Sequence, residues 1–183
     1  MNQLELKALA KINLGLDVLG KRENGYHDVR MIMQSIYLYD TIRIEKTGAD
    51  EGISLCSNLS YLPSDGNNIA YKAAQLLKEE FGIREGVRIT LDKHIPVAAG
   101  LAGGSSNAAA VLFGMNRMFR LGLSQKELMD RGVKLGADVP YCIMRGTVLA
   151  EGIGEELTRL PAMPKCTVLI AKPPVSVSTK TVY

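Results

Sequence analysis

The first third of the chain alternates apolar and polar residues with a period of two, the pattern of half-buried β-strands. Apolar side chains occupy every second position from residue 4 to residue 18, and strand-like runs follow over residues 29–36, 41–46 and 53–56. A polar segment bounded by glycines, residues 20–25, separates the first two runs. The pattern therefore predicts four strands, with a turn between the first and the second.

The remainder of the chain has helical periodicity in three places. Residues 69–81 repeat apolar side chains at helical spacing, after Asn67 or Asn68 as N-cap and before Gly82 as terminator. A second helix is expected after residue 106. A third begins at Ser124, since a glutamate three residues later has the spacing of a capping box, and it is expected to close at Gly136.

Three further runs, residues 87–92, 147–150 and 167–171, have the composition of strands. Strands thus come first and helices are interleaved later, without a visible internal repeat or low-complexity linker. We therefore predict an α+β fold, in which helices pack on a mixed, mainly antiparallel sheet.

Composition narrows the class of protein. The chain has 183 residues, 46% of them hydrophobic, which is enough for a proper core, and its net charge of +3 is too small for the basic stripe of a nucleic-acid binder. Its three cysteines form no CxxC pair, which argues against structural zinc and favours reduced thiols in the cytoplasm. Neither a signal peptide nor a membrane span is expected.

Eleven residues between a predicted strand and a predicted helix, here called the glycine-rich segment, contain three glycines, three alanines and two serines. Small residues allow a ligand to approach the backbone, and the unpaired N–H groups of a helix N-terminus favour an anion. The segment therefore indicates a phosphate cradle, the alternative being a loop that only caps the helix. Its residues are Pro96, Val97, Ala98, Ala99, Gly100, Leu101, Ala102, Gly103, Gly104, Ser105 and Ser106.

Two common phosphate-binding motifs are excluded in this segment. It lacks the lysine of a P-loop, and Ala102 occupies the second glycine position of a dinucleotide fingerprint that begins at Gly100. The hydroxyl groups of Ser105 and Ser106 are suited to a phosphate oxygen or a magnesium ion.

The glycine-rich segment resembles the phosphate-loop motif of the GHMP kinases, Pro-x-x-x-Gly-Leu-x-x-x-Ser-Ser. That family includes galactokinase, homoserine kinase, mevalonate kinase and phosphomevalonate kinase. Ala102 stands where many members have glycine. The resemblance implies the family's N-terminal fold, which is similar to a domain of a ribosomal protein, and it implies ATP as phosphoryl donor together with Mg²⁺.

Two further strings resemble one branch of the family, whose substrate carries a cytidine diphosphate group. Ala-Lys-Ile-Asn-Leu contains Lys11, and Gly-Ala-Asp-Val-Pro contains Asp138. Without the resemblance, Lys11 reads as a solvated strand residue and Asp138 as a turn former. With it, Asp138 is the candidate base for an alcohol and Lys11 its electrostatic partner, because phosphoryl transfer depends on positioning and charge.

The same branch implies residues that hold the substrate. Gly-Tyr-His places Tyr26 to stack on the cytosine ring and His27 to bond the edge of the base, whereas taken alone the string reads as a surface hairpin. Asn13 is expected to contact the substrate, and Tyr183 to close the other side of the base. No residue is assigned as a metal ligand.

Two positions match residues that lie near adenine in the family, and each has a structural alternative. Asn68 is also a candidate helix cap, and Lys93 also reads as a surface charge after a strand.

The resemblance also divides the chain. We expect residues 1–160 to form the ATP-binding domain and residues 161–183 to begin the connection to a C-terminal domain that this sequence lacks. Since the family's active site lies between the domains, two alternatives stay open: another GHMP kinase, against which Tyr26 and His27 argue, and a nucleotide- or RNA-binding homologue without catalysis. A monomer or a homodimer is expected.

Overall fold

The computed structural model describes residues 1–23 and 25–172, in which six strands form one sheet and four helices accompany it. The strands and helices follow the chain as β1 (Gln3–Lys21), β2 (His27–Ala49), β3 (Ile53–Ser57), α1 (Ile69–Phe81), β4 (Glu85–Asp92), α2 (Gly103–Phe119), α3 (Gln125–Gly132), α4 (Val139–Met144), β5 (Thr147–Glu151) and β6 (Glu156–Arg159).

The long strand β2 organises the sheet. It pairs antiparallel with β1 along one edge, and on its other edge with β4 over residues 41–49 and with β5 over residues 31–34. Only β3 and β4 pair in parallel, through the crossover helix α1. The predicted α+β fold with a mixed, mainly antiparallel sheet is confirmed.

One face of the sheet is covered by the helices. Alternate residues of β2 and β4, among them Met33, Ile42, Ile44 and Ile89, are buried against α1 and α2. Helix α2 is the central helix, because the run 106–112 is buried without interruption. A helix that is apolar on most sides belongs inside the domain, and the hydroxyl of Ser106 near its N-terminus is bonded to the carbonyl of Leu9 in β1.

The helix boundaries follow local chemistry. Asn68 caps α1, its side chain accepting a hydrogen bond from the amide of Ala70, and Gly82 ends that helix in the left-handed conformation, as predicted. The capping box at Ser124 is also confirmed.

Four expectations about the elements need correction. The strands predicted over residues 29–36 and 41–46 are one strand, because β2 continues between them and its Tyr39 and Asp40 pair with Leu9 and Ala8 of β1. Helix α3 ends at Gly132 and not at Gly136, since α4 crosses there; a Cβ on Gly132 would meet Val139 at 2.8 Å. Helix α4 itself was not predicted.

The fourth correction concerns residues 167–171, which form no strand. A strand needs a ladder partner, and no described residue pairs with this run. Residues 161–172 contain neither helix nor strand, and the expected domain boundary at residue 160 stays a prediction. Of the helices in the described ranges, none has the length and apolar character needed to cross a membrane.

The close approach of α2 to the sheet generates a prediction. A Cβ on Gly114 would lie 2.5 Å from Cδ1 of Ile44 and 3.0 Å from Cδ1 of Leu6. Gly114→Ala is expected to lower the free energy of unfolding by up to about 2 kcal/mol, because overpacking costs ~1–3 kcal/mol and improved helix propensity returns ~1 kcal/mol. Urea unfolding measures the change.

The matched control is Gly104→Ala in the same helix, where the nearest atom would be Cγ2 of Ile69 at an ordinary 3.5 Å. The control should leave stability unchanged or raise it. Equal effects of the two substitutions would contradict the packing argument.

Candidate functional site

The glycine-rich segment is divided between a loop and a helix. Pro96 to Ala102 form the loop after β4, and Gly103 begins α2. Three residues of the loop are left-handed: Ala98 with φ 53°, Gly100 with φ 70° and Ala102 with φ 56°. Left-handed residues between right-handed or extended ones turn successive N–H groups toward one side, which makes a concave anion site. The loop therefore has the backbone geometry that the sequence predicts for a phosphate cradle.

The loop is fastened to strand β1. Leu101 and Ile95 are buried against Ala10 in a small apolar cluster, separate from the main core. The amide of Lys11 donates to the carbonyl of Leu101 at 3.1 Å. The hydroxyl of Ser106 donates to the carbonyl of Leu9 at 2.6 Å. These contacts hold the loop beside Lys11.

A bulge in the sheet directs Lys11 inward. Leu9 pairs with Tyr39 and Lys11 with Ser35, so β1 advances two residues where β2 advances four. Bulges change the direction of a side chain and are frequent at active sites. The side chain of Lys11 is only 7% exposed, and its Nζ donates to Oδ1 of Asn13 at 3.1 Å. The reading of Lys11 as a solvated strand residue is wrong.

Asp138 lies opposite Lys11. It occupies the N-cap position of α4 but makes no capping hydrogen bond with its side chain. Its Oδ2 lies 3.8 Å from Nζ of Lys11, and the carboxylate is 32% exposed, against 7% for the lysine. A half-exposed carboxylate held by a buried ammonium group can meet a hydroxyl group from the cleft while the lysine supplies positive charge.

Behind this pair the protein is apolar. Burial raises the pKa of the Cys142 thiol to about 12, and the negative charge of Asp138 acts in the same direction. Burial also raises the pKa of Tyr141 to about 12, although a hydrogen bond with Ser35 opposes the shift. Both groups stay protonated at neutral pH, so the side chains behind the ion pair of Lys11 and Asp138 are uncharged.

A cleft of about 1660 Å³ runs along these elements. It is large enough for more than one small ligand, because a pocket for one typically has ~300–1,000 Å³. Predicted site residues that line the cleft are Lys11, Asn13, Tyr26, His27, Asn68, Lys93, Asp138 and the glycine-rich segment from Pro96 to Ser105. Ser106 is buried beneath it, and Tyr183 lies outside the described residues.

Tyr26 and His27 lie where β2 begins, at the end of the β1–β2 hairpin. Tyr26 is 57% exposed and His27 is half-buried. Leu16, Met31 and Ile153 also line the cleft and add apolar surface to it. Tyr26 and His27 therefore belong to a surface hairpin and also line the cleft, because the turn of the hairpin brings the aromatic ring of Tyr26 to the cleft.

The two positions expected near adenine have structural roles. Asn68 caps α1, and its Nδ2 donates to the carbonyl of Pro63 at 2.8 Å. Lys93 is not a surface charge, since it is buried and forms an ion pair with Asp40. Both line the cleft, and their contact with a nucleotide stays a prediction.

Sequence reasoning missed Asp40 and Asn107, which are both buried beside Lys93. The signal for Asp40 was available: extending the period of two backward from Ile44 and Ile42 places residue 40 on the buried face. Asn107 carries no such signal, because it directly follows the serines of the glycine-rich segment.

Comparisons with known proteins identify similar families and sequences. Residues 68–146 match the model of the GHMP kinases N terminal domain. The whole chain aligns with proteins named 4-diphosphocytidyl-2-C-methyl-D-erythritol kinase, at 60% identity in Lachnospira eligens and 61% in Lachnoclostridium phytofermentans. It covers 63% and 62% of those relatives, which is less than two thirds of their length.

Solved structures give the same picture. A crystal structure of 4-(cytidine 5'-diphospho)-2C-methyl-D-erythritol kinase superposes with a TM-score of 0.75 at 38% identity, over 86% of this chain and 55% of that one. Mevalonate kinase of Methanococcus jannaschii, at a TM-score of 0.66 and 16% identity, covers 87% of this chain and 56% of that one and shares the fold.

Burial of Cys142 predicts a pattern of thiol reactivity. Cys56 and Cys166 are exposed, whereas Cys142 is buried and its raised pKa keeps it protonated. At pH 8 a thiol reagent should label two cysteines rapidly and the third only after unfolding, because the thiolate is the reactive form. Since the unfolded thiol ionises near 9.0, this group lowers stability only as the pH rises from there toward 12.

Cys142→Ser is the control for the labelling experiment. It should leave the native count at two and reduce the unfolded count from three to two. Three rapidly reacting thiols in the native protein would contradict the buried position of Cys142.

Proposed function

We propose that the chain is the nucleotide-binding part of an ATP-dependent kinase of the GHMP family, since residues 68–146 match the N-terminal domain of that family and the relatives are named as kinases. The proposed acceptor is the 2-hydroxyl of 4-diphosphocytidyl-2-C-methyl-D-erythritol, a step of the non-mevalonate isoprenoid pathway. The observation that carries the proposal is the Lys11–Asp138 pair, which faces a cleft beside a loop of left-handed residues.

In the proposed reaction the loop holds the phosphates of ATP. Its N–H groups and the N-terminus of α2 favour negative charge, and Gly100, whose added Cβ would meet no atom within 4 Å, leaves room for close approach. No lysine of P-loop type is needed, because Lys11 reaches the same end of the cleft from β1. The γ-phosphoryl group would thus lie between the loop and the ion pair.

Asp138 is the proposed base. Its carboxylate accepts the proton of the acceptor hydroxyl as the new oxygen–phosphorus bond forms, and the bond from the γ-phosphorus to ADP breaks. Lys11 stabilises the negative charge on the transferring group and holds Asp138 in place through their 3.8 Å contact. Most of the catalysis comes from position and charge, as in other phosphoryl transfers.

The other end of the cleft is proposed to hold the cytidine diphosphate group. The exposed ring of Tyr26 is suited to stack on a base, and His27 beside it is suited to bond its edge. Asn13 lies one hydrogen bond from Lys11 and is proposed to orient the sugar alcohol. Tyr183, on the other side of the base, belongs to the proposal only through the family resemblance.

Mg²⁺ is proposed to enter with ATP. In the part of the chain that the structure describes, no group of three or more histidine, cysteine, aspartate or glutamate side chains could hold a metal ion by itself. This arrangement suits an ion carried mainly by phosphate oxygens and water, which is how Mg²⁺ commonly binds. Ser105 at the cleft is the better-placed hydroxyl, since the hydroxyl of Ser106 is bonded to Leu9.

A cytoplasmic location and a monomeric or homodimeric state complete the proposal. The free cysteines of the described chain suit a reducing compartment.

The activity itself is the main test. ADP release is measured with Mg²⁺ and ATP, and 4-diphosphocytidyl-2-C-methyl-D-erythritol is compared with mevalonate and homoserine. We expect turnover with the cytidine compound only, lowered about 10²–10⁴-fold by Asp138→Asn, the effect of removing a general base. The matched control is Asp130→Asn, which removes an exposed carboxylate on α3 and should leave the rate unchanged.

Each other outcome has a meaning. Turnover with mevalonate or homoserine would refute the proposed acceptor and support another GHMP kinase. No turnover with any acceptor, together with ATP binding by calorimetry, would support a nucleotide-binding part that does not catalyse the reaction by itself. Absence of ATP binding would refute the proposed function altogether.

The loop geometry gives a second prediction. Gly100→Ala meets no atom within 4 Å of the added Cβ, so it tests the left-handed backbone alone. It is expected to weaken ATP binding and to cost ~1–2 kcal/mol of stability, whereas Ala102→Gly relieves the same strain and should retain binding. Calorimetry compares the two variants. Equal ATP affinities for both would contradict the role of the backbone conformation.

A further inference from the structure

The carboxylate of Asp40 is fully buried and accepts four hydrogen bonds. Its Oδ1 accepts from the amides of His94 at 2.7 Å and Ile95 at 2.8 Å. Its Oδ2 accepts from Nζ of Lys93 and from Nδ2 of Asn107, the latter at 2.8 Å. Lys93 also donates to Oδ1 of Asn107 at 3.0 Å, which closes a triangle. No carboxylate oxygen is left without a donor.

The four donors lie on both sides of the loop. Residues 93–95 come directly before Pro96, and Asn107 is in the second turn of α2, directly after Ser106. Asp40 itself is on β2, one residue before the pairing with β4 begins at Thr41. One carboxylate therefore fixes the distance between the two ends of the glycine-rich segment.

The loop between these ends is strained. Ala98 and Ala102 are left-handed although each has a Cβ. Such conformations persist only where the surrounding structure determines them, because the relaxed alternatives are open to a free loop. The contacts of Leu101 with β1 fix the middle of the loop, and the Asp40 network fixes both ends.

We propose that Asp40 is a positioning residue for phosphoryl transfer, acting through Lys93 and Asn107 to hold the glycine-rich loop in its phosphate-binding conformation. The inference rests on the proposed function, since it assigns the loop to the phosphates of ATP. Asp40 is buried beneath the cleft and is not among the residues that line it. It sets the geometry of the N–H groups before the nucleotide arrives, which avoids ordering the loop on binding.

The competing explanation is that the network only stabilises the fold. If the network is purely structural, its disruption should accelerate amide hydrogen exchange equally throughout the domain. If the network positions the loop, its disruption should accelerate exchange in the loop more than in the rest of the domain. Two backbone amides report on the loop without any nucleotide: that of Lys11, bonded to Leu101, and that of Ser106, bonded to Ala102 at 2.8 Å. Ile44 and Ile89 in the central sheet report on the whole fold.

The experiment uses the 183-residue chain and measures amide hydrogen exchange in Asn107→Leu, Asp40→Asn and a control, Leu128→Ala. Asn107→Leu removes one link and leaves the Asp40–Lys93 pair in place. Leu128→Ala truncates a buried side chain on α3, away from the loop. Binding of Mg²⁺ with the non-hydrolysable analogue AMP-PNP is measured on the same samples.

In Asn107→Leu and Asp40→Asn, here called the network variants, exchange of the Lys11 and Ser106 amides relative to that of Ile44 and Ile89 should be at least about tenfold faster than in the unaltered chain. The reason is that local opening of the loop is separate from global unfolding. The control should accelerate all four amides together. AMP-PNP affinity should fall about ten- to a hundredfold in the network variants and stay unchanged in the control, as expected for a displaced binding loop.

Three results would overturn the proposal. One is that the amides of Lys11 and Ser106 exchange in step with the amide of Ile44 in the network variants. Another is that Asn107→Leu folds and binds AMP-PNP with the affinity of the unaltered chain. The third is failure of Asn107→Leu to fold, which would make the network a condition of folding. If the unaltered chain does not bind AMP-PNP, the proposed function fails, and the amide exchange still decides whether Asp40 positions the loop.

Discussion

A carboxylate without access to water must be surrounded by donors, and this constraint brings the elements of the site together. Asp40 is 0% exposed, and removing a charge from water costs several kcal/mol unless partners replace the lost hydration. The partners come from the chain after β4 and from α2. The end of a strand, the start of a helix and the middle of β2 therefore meet at one point. A buried ion pair adds little to net stability, but removing one of its partners is strongly destabilising, because an uncompensated buried charge remains.

The chemistry of the cleft follows from that meeting point. The loop leaves the Asp40 network at Ile95 and returns to it at Asn107, and between them it passes beside the bulge in β1 that directs Lys11 inward. Helix α4 begins at the opposite wall with Asp138. Lys11, the loop and Asp138 are thus held close together although they are far apart in sequence. Because they are already in place, little conformational entropy is lost when a ligand binds.

The sequence predicted the fold class and many of the residues that line the cleft, but for different reasons. Periodicity was sufficient for most of the strands and, together with the caps, for α1, because alternation and caps are local. Lys11 was assigned only through the family resemblance, since the bulge that buries it depends on the register between two strands. Helix α4 is too short for periodicity to show, and residues 167–171 carry a strand pattern without a partner in the described chain. Asp40 could have been found from the alternation of β2, whereas its role required the three-dimensional structure.

The most direct test of the account is a map of amide chemical shifts on addition of Mg²⁺ and AMP-PNP. If phosphates bind at the glycine-rich loop, the largest changes should fall on residues 98–106 and on Lys11, whose amide is bonded to that loop. Smaller changes should appear along the rest of the cleft. Changes concentrated on another surface, with residues 98–106 unaffected, would contradict the assignment of this loop as the phosphate site, and the proposed function with it.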